Sequence, residues 1–252
     1  MRENPGLACR DVESRFSPQI AMEAQKLLTS KLVLEDRYGP IRYVAGLDVA
    51  YVKRGEETVG AGVAVLLSYP SLEVEDCVVY VARVCIPYIP GLLAFREMNV
   101  LAPAVLKLES KNKVDLYVVD GHGIAHPRRF GIASHVGVVM DKPSIGVAKK
   151  RLYGREEVWK GSRVLLDEDG RILALILESG RGSKIYVSPG HRITPFSAAR
   201  LVSSMLRRGH RLPEPTRVAD RISKSIRTRL KAGDMGSGFI DCLSNRSLYR
   251  FF

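Results

Sequence analysis

Asp115-Leu-Tyr-Val-Val-Asp-Gly-His-Gly-Ile-Ala-His-Pro-Arg-Arg-Phe-Gly-Ile-Ala-Ser-His135 decides the fold. Leu116 to Val119 is a short, apolar, β-rich run, as expected of a strand buried on both faces. It ends in a carboxylate, Asp120, and Gly121 and Gly123 then bracket a histidine. Open α/β sheets place their chemistry at the carboxyl ends of such strands. Glycine lets backbone approach a ligand, because no Cβ intervenes. Arg128 and Arg129 follow, two planar forks that match phosphate oxygens. A strand, a turn and a solvated basic loop is the plainer reading. The crowding of acid, glycines, histidines and arginines into one strand-to-helix connection argues against it.

Outward from this stretch, the pattern is that of one large α/β domain. Ser17-Pro18 caps a first helix whose Ile20, Ala24, Leu27 and Leu28 share a face, which reads as structural. Tyr43–Val52, Val59–Ser68 and Leu72–Val84 form an antiparallel meander joined by turn-like segments. Asp48 is the only acid in the first of these strands, and an unpaired buried carboxylate costs several kcal/mol, so it is paired or functional. Pro87-Tyr88-Ile89-Pro90-Gly91 is a stiff turn that holds two apolar side chains outward. A helix follows to about Ser110, with Glu97 at its start and Pro103 as a kink or a sign of a later start. Ser144–Val147 is a further strand, running into Lys149 and Lys150. Arg163–Asp167 and Arg171–Leu177 flank a Glu168-Asp-Gly170 hairpin, and Ile185–Val187 adds a strand. Helices from Thr194-Pro195 to Gly209 and from Pro215 to Leu230, the latter carrying Asp220, close the core. The order fits a mixed five-stranded central sheet flanked by helices, with an extra C-terminal β-hairpin region.

Composition narrows the partner. The 252 residues hold 39 Lys and Arg against 27 Asp and Glu, a net charge of +12 that favours a polyanion such as nucleic acid. No apolar run approaches the roughly 20 residues that span a bilayer, and the first ten lack a signal-peptide core, so the cytoplasm is expected. Cys9, Cys77, Cys85 and Cys242 form no C-x-x-C pair and read as reduced thiols. The spacing of His122, His126 and His135 suits no compact zinc motif.

Four acids are candidates for chemistry: Asp48, Glu97, Asp120 and Asp220. Carboxylates converging from two strands and a helix form a hard-oxygen cage for Mg²⁺, with Mn²⁺ as a substitute. In a basic protein this points to metal-assisted phosphodiester hydrolysis, with Lys149 as an added positive charge.

These segments resemble the endonuclease V family. The match runs through Val44-Ala-Gly-Leu-Asp48, Pro87-Tyr-Ile-Pro-Gly-Leu-Leu-Ala-Phe-Arg-Glu97, Asp120-Gly-His-Gly-Ile-Ala-His-Pro-Arg-Arg129 and Gly131-Ile-Ala-Ser-His-Val-Gly137. Ser144-Ile-Gly-Val-Ala-Lys149, Ser188-Pro-Gly-His-Arg192 and Leu212-Pro-Glu-Pro-Thr-Arg217 continue it in the family's order, from roughly residue 15 to 230. The resemblance implies a ribonuclease H-like fold, Asp48 and Asp120 as principal metal ligands, Glu97 completing the acidic site and Lys149 assisting. It implies that Pro87 to Pro90 is a wedge whose Tyr88 enters the base stack as a deaminated adenine, hypoxanthine, is flipped out. Backbone around Gly91 and Gly121 then reads the base, with His126, Arg128 and Arg129 as further DNA contacts. The expected reaction cleaves the second phosphodiester bond 3′ to deoxyinosine, leaving a 3′-hydroxyl and a 5′-phosphate. An inosine-specific endoribonuclease and a non-catalytic lesion-binding scaffold are the alternatives. One departure stands out: the family often carries histidine where this chain has Asp220, and an acid there could bind a second metal directly.

Residues 1–230 are thus expected to be the nuclease, acting as a monomer, and 231–252 a linker and tail. Lys231 to Gly238 reads as flexible. Leu248, Phe251 and Phe252 sit at i, i+3 and i+4 after Asn245, a pattern similar to a sliding-clamp-binding peptide. Packing of this tail on its own domain is the equal alternative.

Overall fold

The computed structural model describes residues 9–242. In chain order these form α1 (Cys9–Arg15), α2 (Pro18–Thr29), β1 (Tyr43–Arg54), β2 (Glu57–Ser68), β3 (Val74–Arg83), α3 (Leu93–Glu109), β4 (Leu116–Asp120), α4 (Ile132–Met140), β5 (Ser144–Ala148), β6 (Arg155–Trp159), β7 (Ser162–Leu166), β8 (Ile172–Ser179), β9 (Ser183–His191), α5 (Pro195–Ser204), α6 (Glu214–Ala232) and β10 (Gly238–Asp241). All the strands belong to one sheet, ordered β10-β3-β2-β1-β4-β5-β9-β8-β7-β6. Its centre is parallel, with Leu47 opposite Val119 and Asp120 opposite Val147, and antiparallel strands extend it on both sides. α5 and α6 cover one face over Val44, Val63, Val118 and Val147, while α3 and α4 cover the other over Ala45, Leu47, Tyr117 and Val119.

The expected meander, the strand ending at Asp120 and the mixed α/β class are all present. The sheet has ten strands rather than five. The hairpin region is continuous with the core, because β9 pairs antiparallel with β5 from Ser144–His191 to Ala148–Tyr186. β6 was hidden by its sequence, Arg-Glu-Glu-Val-Trp, whose charges suit an exposed edge strand and carry no apolar alternation. α3 starts at Leu93, so Glu97 lies in its second turn, and the helix runs on through Pro103. α5 ends at Ser204, short of Gly209.

The expected linker, Lys231 to Gly238, holds the end of one helix, a stretch at 234–237 outside helix and strand, and the first residue of a strand. α6 continues to Ala232, where Gly233 (φ +84°) caps it, and β10 then pairs with β3. Nor are the cysteines free: Cys9 pairs with Cys85 and Cys77 with Cys242. The partners lie 76 and 165 residues apart, so only the folded chain brings them together, and local spacing carried no sign of it. α2 is rolled away from the expected face: Ile20 is 72% and Leu27 74% exposed, whereas Ala21 and Gln25 are buried. No described helix is long and apolar enough to cross a membrane. The clamp-like segment, residues 245–252, lies outside the described residues.

Candidate active site

Asp48 sits in mid-β1 opposite Val63, and side chains directly opposite in an antiparallel pair share a face. Its neighbours Leu47 and Val49 pack toward α3 and α4, so Asp48 faces α6. Asp120 projects to the same face from the end of β4, two residues beyond Val118. α6 supplies Asp220. One carboxylate oxygen from each of these three lies within 4.8 Å of the others. Ser223, one helical turn after Asp220, donates its hydroxyl to Asp48 Oδ2. Lys149, just past β5, bridges the cluster, with Nζ 2.6 Å from Asp120 Oδ2 and 2.9 Å from Asp220 Oδ1. Lys224 Nζ is 2.5 Å from Asp220 Oδ2. The surrounding cleft is also lined by Tyr51 and Arg227.

Electrostatics separates these acids by role. Burial pushes the Asp48 carboxyl up to about 7, reinforced by the charge of Asp120 and then of Asp220. Glu97, buried on α3, is pushed up to about 8 by burial and by Asp48 and Asp120, against the opposing Arg96. Burial also raises Asp120, with Lys149 pulling the other way. Asp220 is depressed: burial works to raise it, but Lys224 and Lys149 outweigh burial. Burial likewise opposes the charge on Lys149, yet Asp120 and Asp220 push its pKa up to about 12, so it stays cationic. Three carboxylates converge here, two of them raised by burial and then by a neighbouring acid, and Lys149 and Lys224 offset only part of their charge. Hard oxygen donors of this kind suit Mg²⁺ or Mn²⁺. Among the described residues no histidine or cysteine joins such a group. His122 Nε2 is instead 3.0 Å from the Lys150 carbonyl, and burial holds His122 and His135 down to about 4.

The raised acids set a pH dependence for the cation-free protein. Asp48 and Glu97 hold protons more tightly in the fold than in the unfolded chain. Their contribution to stability is therefore full below about pH 4 and is lost as pH rises through about 7 and 8. In EDTA the melting temperature should fall between pH 5 and 9, and added Mg²⁺ should restore more at pH 9 than at pH 5. Asp48→Asn should flatten the profile. Thermal melts check this, and a wild-type profile already flat in EDTA contradicts it.

A second cavity of about 130 Å³ opens beside the first and is lined by Gln25, Tyr88, Gly91, Gly121, His122 and Ile132, among others. A cavity of roughly 150 Å³ accepts an aromatic ring. Tyr88 at its rim is 66% exposed, and Pro87 and Pro90 are exposed beside it, as expected for a stiff turn pointing outward, while Ile89 is only half-exposed. Gly91 (φ +78°) takes a left-handed conformation that costs glycine nothing. Its carbonyl faces inward and accepts from His126 Nε2 (3.0 Å) and Arg128 Nη2 (2.7 Å). His126 Nδ1 in turn accepts from the Arg128 backbone N–H (3.2 Å), which assigns its proton to Nε2. Burial, then the Arg128 charge, holds its pKa down to about 4, so it stays neutral. Expected as strand contacts, Arg128 and His126 are thus engaged inward, on the wedge turn. Arg129 (φ +52°) donates its backbone N–H to the His126 carbonyl, and its side chain is half-exposed. Sequence reading missed Gln25, Ser223 and Lys224. The last two stand at i+3 and i+4 from Asp220, a spacing that could have found them.

An α/β sheet whose central strands deliver carboxylates to a cleft under one helix, in a chain of charge +12, defines a metal-dependent nuclease. Comparison with known proteins gives the family. The endonuclease V family model matches residues 26–221. Endonuclease V of Aeropyrum pernix is 52% identical over 219 residues, covering 87% of this chain and 84% of that protein. The crystal structure of the catalytic domain of human endonuclease V is 32% identical, with a TM-score of 0.75 over 86% of this chain and 98% of that one. Endonuclease V of Ciona intestinalis, solved in complex with a 24-mer DNA containing an inosine followed by a ribo-adenosine, is 28% identical. Its TM-score is 0.75 over 85% of this chain and 100% of that one. The chain belongs to the endonuclease V family, as its motifs indicated, and is a metal-dependent endonuclease.

Proposed function

We propose that this protein binds DNA containing deoxyinosine and hydrolyses the second phosphodiester bond on its 3′ side, using Mg²⁺ and leaving a 3′-hydroxyl and a 5′-phosphate. The observation that carries the reading is adjacency: an aromatic-sized cavity with an exposed Tyr88 at its rim is lined by Gly121, the residue that follows Asp120 of the carboxylate cluster. The inosine-containing DNA held by the Ciona relative supports the choice of base. Tyr88 would fill the gap left in the stack by the flipped nucleotide, offsetting an unstacking cost of a few kcal/mol. Backbone at Gly91 and Gly121 would wall the base. Asp48 and Asp120 would hold the cation, with Asp220 beside them. When bound, Mg²⁺ supplies an activated water and neutralises charge developing on the phosphate. Glu97, with a pKa near the working pH, is suited to hold or release a proton next to Asp48. Lys149, cationic throughout, can turn from Asp120 toward a phosphate oxygen.

The deciding experiment is cleavage of matched oligonucleotides with inosine or adenine at one position, with Mg²⁺ omitted and restored. Equal cleavage of the two, or cleavage at another bond, overturns the proposal. RNA stays as a second reading because the strand in the Ciona complex carries a ribo-adenosine after its inosine. Faster cleavage of the RNA version of the strand would favour it, and binding without cleavage in either would favour a scaffold. Tyr88→Ala should weaken binding to inosine-containing duplex by roughly tenfold, the scale of one lost base–aromatic stack. It should change cleavage of a single strand less, since no duplex partner is left to replace. Equal losses on both substrates would contradict the wedge. Residues 245–252 are proposed to tether the enzyme to a sliding clamp, and clamp affinity unchanged by their removal would exclude this.

A further inference from the structure

Gln25 is an amide side chain with no exposed surface, on a helix outside the acid cluster and the glycine-rich loop. Its Nε2 donates to the Gly91 carbonyl (3.1 Å) and to the Phe130 carbonyl (3.0 Å). Its Oε1 accepts from Arg128 Nε (2.5 Å). Only this orientation of the amide serves all three partners, since two are acceptors and the third is a guanidinium. The Gly91 carbonyl therefore receives three donors, from Gln25, His126 and Arg128. One turn later, Thr29 Oγ1 lies 3.2 Å from the Arg128 carbonyl, a second tie between α2 and the same loop. Three segments distant in sequence, α2, the Pro87–Gly91 turn and the loop at 126–130, are thus bound into one unit at the wall of the cavity. Gly91 itself adds no stiffness, because glycine has the least intrinsic conformational restriction. Pro87 and Pro90 stiffen the turn from within, and the direction of the Gly91 carbonyl is held by the donors outside it.

We infer that Gln25 is a positioning residue for base selection: it holds the Gly91 carbonyl inward and so sets the orientation of the wedge turn and the cavity wall behind it. Its hydrogen-bonding atoms are occupied by protein, so it acts through Gly91 and not by touching the base. The roll of α2 follows from the same contacts. Burying Gln25 on these carbonyls forces Ile20 and Leu27 outward, which apolar packing alone does not favour. This inference rests on the proposed inosine selectivity, and the test separates the two.

The test compares full-length wild type with Gln25→Met, which keeps length and packing but removes the donors, and with Gln25→Glu, which keeps an acceptor for Arg128 but sets a carboxylate oxygen against two carbonyls. For each, kcat/KM is measured on an inosine-containing oligonucleotide and on its adenine counterpart, below the melting temperature of the variant, together with the Mg²⁺ concentration for half-maximal rate. The ratio of the two kcat/KM values should fall roughly tenfold in both variants, the scale on which unpairing a buried hydrogen-bonding group acts. Half-saturation by Mg²⁺ should stay within twofold, because the cation cleft is not part of this network. A wild-type ratio of one refutes the inosine reading itself. A wild type that discriminates, with a variant ratio within twofold of it, overturns the role of Gln25 and leaves that reading intact. A fall in the ratio accompanied by an equal loss of Mg²⁺ affinity also overturns it, since general loosening would move both. Should one variant fail to fold, the other decides.

Discussion

Asp120→Asn should reduce cleavage by about a thousandfold or more and leave the chain folded and able to bind its strand. The size follows from what the cluster supplies. A cation that activates water and neutralises phosphate charge contributes several kcal/mol to the transition state, and each 1.36 kcal/mol is about tenfold in rate. Asp120 is an end-of-strand residue within 4.8 Å, oxygen to oxygen, of Asp48 and Asp220, so its loss removes one wall of the cage. It also releases the Lys149 ammonium, now 2.6 Å away, onto Asp220 alone. Asp48→Asn should match it in activity but differ in stability. Burial and two neighbouring acids push the Asp48 carboxyl up, so a neutral amide relieves repulsion that the cation-free fold otherwise carries at alkaline pH. The variant should therefore melt higher than wild type in EDTA at pH 9, while being inactive. Stability and activity then move in opposite directions at one residue, as expected where a site is built at a cost to the fold. Steady-state cleavage with EDTA melts checks both, and turnover within tenfold of wild type for either variant would remove the cluster from the chemistry.

How much of this was legible in the sequence follows from the range of each signal. Asp48 could be read because a carboxylate inside Val-Ala-Gly-Leu-Asp-Val-Ala breaks a strand pattern locally. Asp120 and the glycines after it could be read because strand end, turn and helix start are contiguous. Their convergence with Asp220 could not be read from periodicity. It depends on the parallel β1–β4 pairing and on α6 lying over β1; the residues offered four acids as a candidate cage, and the family resemblance singled out Asp48 and Asp120 among them. Features with no local signature were lost. β6 is an exposed edge strand whose charges leave no apolar alternation to read, and the Cys77–Cys242 pair exists only because β10 returns beside β3. The buried side of α2 was misread for a different reason. Counting apolar residues selects Ile20 and Leu27, whereas the fold selects the side on which Gln25 meets three partners from other elements. Hydrogen-bond demand of that kind is not a periodic property.

Gly46→Ala is the other substitution expected to have a large effect, and it ties the fold to the site. A Cβ built on Gly46 would stand 2.0 Å from the Pro215 carbonyl oxygen and 2.3 Å from its carbon. These are backbone atoms at the start of α6, so no side-chain rotation relieves the clash. Gly46 lies mid-sheet, opposite Val65 on β2 and beside Val118 on β4, and cannot withdraw without breaking both ladders. The helix must lift by more than an ångström to reach the 3.4 Å of ordinary contact. Overpacking of this kind costs about 3 kcal/mol or more, several degrees of melting temperature in a chain of this size. α6 carries Asp220 and the Ser223 that holds Asp48, so the same displacement opens the carboxylate cage, and a misplacement of about 1 Å can cost on the order of a hundredfold in rate. Gly62 repeats the arrangement on the opposite face: its Cβ would meet the Val100 carbonyl oxygen at 2.2 Å, which is how α3 brings Glu97 in toward the same carboxylates. Two glycines on adjacent strands thus set the approach of the two helices that deliver acids from either side. Gly39→Ala, where no atom lies within 4 Å of the new methyl, is the control and should leave melting temperature and Mg²⁺ half-saturation unchanged. Calorimetry and Mg²⁺ titration of Gly46→Ala should show the melting temperature falling and the half-saturating Mg²⁺ concentration rising together. Wild-type values for both would mean that the contact of β1 with α6 does not set the geometry of the site.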